Sequence, residues 1–181
     1  ADVSKQITVR VSYVDQEGIS ESKLSSPTTA VVNVNDNPSG SVTIGGTVAE
    51  GSVLTLDASG ISDADGLGSF SYQWKANGTA ISGANGTQYT LTQSEVGKTI
   101  TVTVSYQDQL GTNESVTSSA TAAVANVNDS PTGAVVITGT VQEGNLLTAD
   151  TSGLSDEDGL GTLAYQWYAD GSPISGATSS T

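Results

Sequence analysis

The chain has 181 residues, and its 5 Lys and Arg residues against 19 Asp and Glu residues give it a formal net charge of −14. This charge repels nucleic-acid phosphates and anionic lipid headgroups, so we expect neither nucleic-acid binding nor membrane insertion, whereas cations are favoured partners. The chain contains no Cys and no His, which excludes disulfides and thiolate metal sites and removes the commonest general base, so we predict that it is not an enzyme. No stretch reaches the roughly 18 apolar residues of a membrane span, and we expect any export signal or anchor to lie outside these residues.

The sequence repeats with a period of 93 residues. Residues 39–88 align with residues 132–181, and 28 of the 50 aligned positions are identical. Residues 7–22 match residues 100–115 at the same offset. Identity at this level indicates tandem copies of one unit.

The period divides the chain into three predicted segments. They are a leading segment (1–38), the C-terminal part of a repeat plus a linker; a central segment (39–131), a complete repeat plus a linker; and a trailing segment (132–181), the N-terminal part of the next repeat. We expect each segment to contact its neighbours in the same chain. Because the two partial repeats are complementary, contacts with other copies of the chain remain an alternative.

The central segment has the periodicity of β-strands. Residues 100–104 read Ile-Thr-Val-Thr-Val, the alternation of a half-buried antiparallel strand. Asn-Gly pairs at 77–78 and 85–86 indicate turns. Strands are predicted at residues 41–45, 52–57, 70–76, 79–82, 88–92, 100–106 and 114–125. Short strands separated by Gly-rich turns predict an all-β fold of antiparallel β-sandwiches in tandem.

Four motifs of the central segment resemble immunoglobulin-like domains. The motifs are Tyr72-Gln73-Trp74, Asn77-Gly78, Tyr89-Thr90-Leu91 and Glu95-Val96-Gly97. They are similar to the strand of that family that carries the core tryptophan, the turn after it, the fifth strand and the turn before the sixth. Thr99 and Thr101 stand where the family has Tyr and Cys, which favours a bacterial immunoglobulin-like repeat. We predict that Trp74 and Trp167 are core residues without a binding role.

A pair of acidic residues recurs between the second and third predicted strands. Asp63-Ala64-Asp65 in the central segment corresponds to Asp156-Glu157-Asp158 in the trailing segment, and each is followed by Gly. Two carboxylates one residue apart can face a single hard cation, while the Gly lets the backbone turn and offer carbonyl oxygens. The spacing excludes an EF-hand loop, because Leu67 and Trp74 would occupy ligand positions. The alternative is an Asx turn, in which Asp bonds its own backbone.

An Asn-rich linker follows the last predicted strand of each repeat. Residues 33–38 form the linker of the first joint, and residues 126–131 form that of the second joint. In an immunoglobulin-like sandwich, the loops after the first and fifth strands lie where the chain leaves, and the loop after the second strand lies where it enters. Oxygen ligands from both repeats should therefore meet at each joint. The predicted ligands at the second joint are Glu50, Glu95, Asn126, Asn128, Asp129, Asp156 and Asp158, and those at the first joint are Asp2, Asn33, Asn35, Asp36, Asp63 and Asp65.

These joints resemble the calcium-binding joints of cadherins. Residues 34–38, Val-Asn-Asp-Asn-Pro, match the cadherin linker, and Asp63-Ala64-Asp65 matches its D-x-D motif. The resemblance implies Ca²⁺ as the cofactor, and we expect one ion per joint. The alternative is a linker that serves only as a short spacer stiffened by Pro. Asp108 and Glu114, with Asp15 and Glu21 at the equivalent positions, either complete the joint or are ordinary solvated charges.

A cation bound only by the ordered joint would remove carboxylate repulsion and stiffen the array. The whole chain resembles the extender region of giant bacterial surface adhesins of the RTX and biofilm type. That resemblance implies an extracellular location at the bacterial cell surface and a role in cell adhesion and biofilm formation. Two alternatives stay open: a ligand- or glycan-binding β-sandwich module, and a subunit of a self-assembling surface filament.

Overall fold

A computed structural model describes residues 2–181. Their regular structure consists almost entirely of β-strands, with a 3₁₀ turn at Gln93–Glu95. The strands are β1 (Arg10–Val14), β2 (Ser20–Leu24), β3 (Thr43–Gly45), β4 (Val53–Asp57), β5 (Ser71–Ala76), β6 (Thr79–Ala80), β7 (Gln88–Thr90), β8 (Ile100–Gln107), β9 (Asn113–Thr117), β10 (Val136–Gly139), β11 (Leu147–Asp150), β12 (Tyr168–Ala169) and β13 (Ser172–Pro173).

The central segment folds into two antiparallel sheets. One sheet has the order β3-β4-β7, and the other has the order β6-β5-β8-β9. The longest pairing joins β5 to β8, with Trp74 opposite Val102. The predicted all-β sandwich is confirmed. In immunoglobulin constant domains the fourth strand belongs to the same sheet as the first, second and fifth strands. Here the fourth strand of the central segment, β6, pairs with the third strand, β5, and so belongs to the other sheet.

The core of the central segment is built from alternating apolar residues of both sheets. Leu54 in β4, Trp74 in β5 and Val102 in β8 have no exposed surface. The indole N–H of Trp74 donates to the carbonyl of Gly86 at 2.9 Å, so its polar atom is satisfied inside the core. The prediction that Trp74 is a core residue is therefore confirmed.

The predicted strand at residues 114–125 is wrong in its second half. Strand β9 ends at Thr117, and residues 123–125 form only isolated bridges to other parts of the segment. Side-chain hydroxyls replace the ladder there: the amides of Val102 and Ile100 donate to the hydroxyls of Ser118 and Thr121, each at 3.0 Å. Ser and Thr compete with backbone carbonyls in this way and end regular pairing.

Within residues 2–38 and 132–181, every sheet is two-stranded. They are β1-β2 in the former, and β10-β11 and β12-β13 in the latter. The prediction that Trp167 is a buried core residue is wrong, because its side chain remains partly exposed. Trp74 is covered by β8, whereas no strand of the described chain pairs with residues 161–167.

Candidate metal centre

The loops that flank the second joint converge as the sandwich geometry predicts. The amide of Glu50, in the loop between β3 and β4, donates to the carbonyl of Ala125 at 2.9 Å. The amide of Gly97, in the loop between β7 and β8, donates to the carbonyl of Val124 at 2.9 Å. The linker therefore leaves the central segment between these two loops.

Three carboxylates from three parts of the chain meet at this joint. Glu50 comes from the loop after β3, Asp129 from the linker, and Glu157 from the loop after β11. One carboxylate oxygen of each lies within 4.8 Å of the other two. Glu50 and Asp129 are partly buried, and Glu157 is exposed. We call Glu50, Asp129 and Glu157 the joint triad.

One oxygen of the joint triad has no partner. Asp129 Oδ2 is shielded from solvent, and within residues 2–181 no group donates a hydrogen bond to it. A buried carboxylate oxygen without a donor or cation is costly. The structure therefore leaves one ligand-type oxygen at the joint unsatisfied.

The chemistry of the joint triad suits a hard divalent cation. Calcium binds oxygen ligands at about 2.3–2.6 Å, so ligands on opposite sides of the ion are about 5 Å apart. The triad oxygens lie within 4.8 Å of one another, close enough to share one such ion, with carbonyl oxygens and water completing the coordination. Among the described residues the one ion pair joins Lys5 to Asp2 at 3.5 Å, so no basic side chain neutralises the triad.

The D-x-D residues at the second joint hold the linker. Asp158 Oδ1 accepts from Asn126 Nδ2 at 2.7 Å, and Asp158 Oδ2 accepts from the amide of Asp129 at 2.8 Å. These bonds, the one from the Asp129 amide first, lower the pKa of Asp158 below its ordinary value. Asp156 Oδ1 accepts from the Asp158 amide at 2.9 Å, the Asx turn that was the alternative for this motif.

The same hydrogen bonds occur at the first joint. Asp65 Oδ1 accepts from Asn33 Nδ2 at 2.8 Å, and Asp65 Oδ2 accepts from the amide of Asp36 at 2.6 Å. Asp63 Oδ1 accepts from the Asp65 amide at 2.8 Å. We call the two bonds from the linker to the second Asp of the D-x-D motif the linker grip. It is present at both joints.

The first joint differs from the second in its carboxylates. Ala64 stands where the trailing segment has Glu157, so the D-x-D loop supplies no third carboxylate. Asp2, predicted as a ligand here, is exposed and pairs with Lys5. Asn35 Nδ2 donates to Glu114 Oε1 at 2.9 Å, which ties the linker to β9. Glu114 therefore contacts this joint.

Two predicted ligands at the second joint have other partners. Glu95 is 5% exposed, and its Oε2 accepts from the amide and hydroxyl of Thr92 at 3.0 and 2.8 Å in a capping box. Burial and then the neighbouring Glu95 raise the pKa of Tyr89 to about 12. Asn128 Nδ2 donates to the carbonyl of Asp129 at 2.7 Å.

Asp108, which the sequence left between a joint residue and a solvated charge, is buried. Its side chain is 6% exposed, and Oδ1 accepts from the amides of Leu110 and Thr112 at 2.8 and 2.7 Å. Asp15 caps the equivalent turn of the leading segment, accepting from Glu17 and Ile19. Both residues therefore shape the loop of the last hairpin.

Sequence reasoning missed three residues of the joints. Glu157 stands at the variable position of D-x-D, so comparison of the two copies gave it no weight. Gln93 Nε2 donates to the carbonyl of Glu157 at 3.2 Å across the second joint, and no sequence signal indicated it. Tyr106 ends the strand predicted at residues 100–106, and no sequence signal indicated that its hydroxyl donates to Asp63 Oδ2 at 2.6 Å.

Comparisons with known proteins leave the family open. A scan of protein-family models, a search of curated proteins and a search of solved structures each found no match to this chain. Within residues 2–181, no helix is both long and apolar enough to cross a lipid bilayer.

Proposed function

We propose that the second joint binds one divalent cation of the calcium class and that this ion stiffens the connection between successive repeats. The observation that carries the proposal is the joint triad, which draws one carboxylate from each of two repeats and one from the linker. An ion held by all three ties the repeats together. The buried Asp129 Oδ2, which accepts no hydrogen bond, supplies one free ligand oxygen for it.

Mutual repulsion makes the joint without an ion unfavourable. Three carboxylates within 4.8 Å repel one another, and the repulsion is relieved either by a cation or by separation of the repeats. A cation that binds only the closed arrangement stabilises it by mass action. The ion therefore adds a restraint to that of the linker grip, and the joint is stiffer with the ion than without it.

An array of such joints suits a spacer at the cell surface. We propose that the chain belongs to the extender region of a bacterial surface adhesin, acting outside the cell in adhesion and biofilm formation. Support comes from the tandem repeats, the net charge of −14 and the resemblance of the linkers to those of cadherin joints. Calcium outside the cell would then bind the joints that carry the triad.

Calcium titration of the full chain tests the metal centre directly. We expect isothermal calorimetry to detect binding at the second joint, and Glu50→Gln or Glu157→Gln to weaken it by about tenfold or more through the loss of one charged ligand. Small-angle scattering should show a longer and narrower particle in calcium than in chelator.

The repeat supplies a matched control. Glu143 occupies in the trailing segment the position that Glu50 has in the central segment, but it is not part of the joint triad. Glu143→Gln should bind calcium as the unmodified chain does. The proposal is wrong if neither triad variant alters the titration, or if scattering is identical in calcium and in chelator.

A second candidate, self-assembly, is favoured by one observation. In β8 the side chains of Ile100, Val102 and Val104 have no exposed surface, yet their counterparts Ile7, Val9 and Val11 are 44–60% exposed. An apolar groove of about 390 Å³, lined by residues that include Trp167, lies open in the trailing segment. In the central segment, β8 covers the equivalent surface with its apolar side chains. The hairpin of β1 and β2, together with the residues just before it, carries the same apolar side chains in the leading segment.

We propose that the leading segment of another copy of the chain occupies this groove. The pairing of β5 with β8 sets the register, because Trp74 faces Val102 and Tyr72 faces Val104. At the offset of 93 residues, Val9 of one copy would face Trp167 of the next. Main-chain pairing would supply affinity, and the alternating apolar residues would supply specificity.

Sedimentation equilibrium over a range of concentrations tests the assembly. We expect the mass to rise with concentration, and Val9→Asp to abolish the rise because the charge would enter the apolar interface. Val32→Asp is the control, since Val32 is 83% exposed and lies outside the hairpin. A constant monomer mass, or equal effects of the two variants, would exclude this assembly.

A further inference from the structure

A buried tyrosine connects the core of the central segment to the first joint. Tyr106, near the end of β8, is 5% exposed, and its ring packs edge-on against Phe70 with centroids 5.5 Å apart. Its hydroxyl donates to Asp63 Oδ2 at 2.6 Å. Burial and then this bond raise the pKa of the hydroxyl above its ordinary value. The core thus fixes the position of one oxygen of Asp63.

Asp63 also holds the backbone of its own loop in place. Its other oxygen accepts from the amide of Asp65 at 2.8 Å, and its carbonyl accepts from the amide of Gly66 at 3.2 Å. The loop also lies tightly against the end of β8, since a Cβ at Gly68 would come within 1.9 Å of the carbonyl oxygen of Gln107. The backbone at Asp65 is therefore held on both sides.

Asp65 in turn holds the linker. Both of its oxygens are occupied by the linker grip, from Asn33 Nδ2 at 2.8 Å and from the Asp36 amide at 2.6 Å. Bonds from two points of the linker to one carboxylate restrain direction as well as position, and bonds to a charged acceptor are stronger than neutral ones.

We propose that Tyr106, Asp63 and Asp65 form a positioning chain that sets the direction of the first joint without any ion. Tyr106 is the positioning residue, acting on the linker through the two carboxylates. The proposal does not rest on the metal centre, because the joint triad lies at the second joint and shares none of these residues.

The chain contains its own comparison for the tyrosine. Tyr13, the counterpart of Tyr106, donates its hydroxyl to Glu21 within its own hairpin. At the second joint the linker grip is also present, but no side chain of the described residues donates to the second oxygen of Asp156.

Tyr106→Phe removes the hydroxyl and keeps the ring, so it tests the anchor with little change in packing. The experiment uses the full chain in excess chelator. Hydrogen exchange would report the Asp36 amide, and residual dipolar couplings would report the orientation of the leading segment. We expect exchange at Asp36 to rise about three- to tenfold, as for the loss of one hydrogen bond, and the alignment to broaden. The Asp129 amide should be unchanged.

Two further variants separate the role of the tyrosine from that of the linker grip. Tyr13→Phe, the matched control, should leave Asp36 and the alignment unaffected, whereas Asp65→Ala should release the linker more completely than Tyr106→Phe. Unchanged exchange in Tyr106→Phe alone would exclude the anchor, and unchanged exchange in Asp65→Ala would exclude the grip. A loss of protection throughout β5 and β8 in Tyr106→Phe would assign the tyrosine a packing role and also overturn the proposal.

Discussion

Replacing Trp74 by alanine is expected to destabilise the central segment by about 3–5 kcal/mol, the range for removing a large aromatic side chain from a packed core. Trp74 has no exposed surface. Its indole N–H bonds the carbonyl of Gly86, and its ring lies 6.1 Å from that of Tyr89 in the opposite sheet. The substitution would open a cavity between the sheets and leave the Gly86 carbonyl without this donor. Calorimetric unfolding of the full chain would measure the change.

Trp167→Ala is the matched control for this substitution. Trp167 makes the equivalent indole bond, to the carbonyl of Ser179 at 2.9 Å, but it lines an open groove and is partly exposed. We expect the unfolding of the central segment to change by less than about 0.5 kcal/mol, as for a surface substitution. Equal losses in the two variants would show that stability does not reside in the two-sheet core.

The sandwich could be predicted because alternation and turn chemistry are local properties. Residues 100–107 alternate strictly, and β8 forms there with alternating burial. The Asn77-Gly78 turn has positive φ at both residues, 46° and 81°, as the Asn-Gly pair predicts.

The joints could be located from the sequence, but the division of their carboxylates could not. The linker and D-x-D motifs predicted which segments meet, and hydrogen bonds at both joints connect them. A motif does not distinguish a carboxylate oxygen that accepts a backbone hydrogen bond from one that remains free to bind a cation. Both carboxylate oxygens of Asp158 accept hydrogen bonds from the linker, whereas Asp129 Oδ2 accepts none. That difference depends on the path of the folded linker.

Gly40→Ala is expected to cost the central segment about 3–5 kcal/mol, combining the strain of a left-handed backbone with lost hydrogen bonds. Gly40 has a φ of +93°, and a Cβ there would lie 1.8 Å from the carbonyl oxygen of Gly60. The backbone would have to move, and the paired bonds of Ser39 with Ser62, at 2.8 and 3.0 Å, would break. Those bonds attach the end of the first linker to the D-x-D loop. Denaturant unfolding would measure the loss.

Gly97→Ala separates the steric clash of an added Cβ from the strain of a positive φ. Gly97 also has positive φ, +75°, but no atom lies within 4 Å of the position of its Cβ. Its substitution should therefore cost only about 1–2 kcal/mol, for the backbone conformation alone. If Gly40→Ala costs no more than Gly97→Ala, the close approach to Gly60 is not maintained in solution. We expect Gly40→Ala to cost more stability than Gly97→Ala. That result would show that glycine is required at position 40 because the backbone after the first linker is in contact with the backbone that leads into the D-x-D loop.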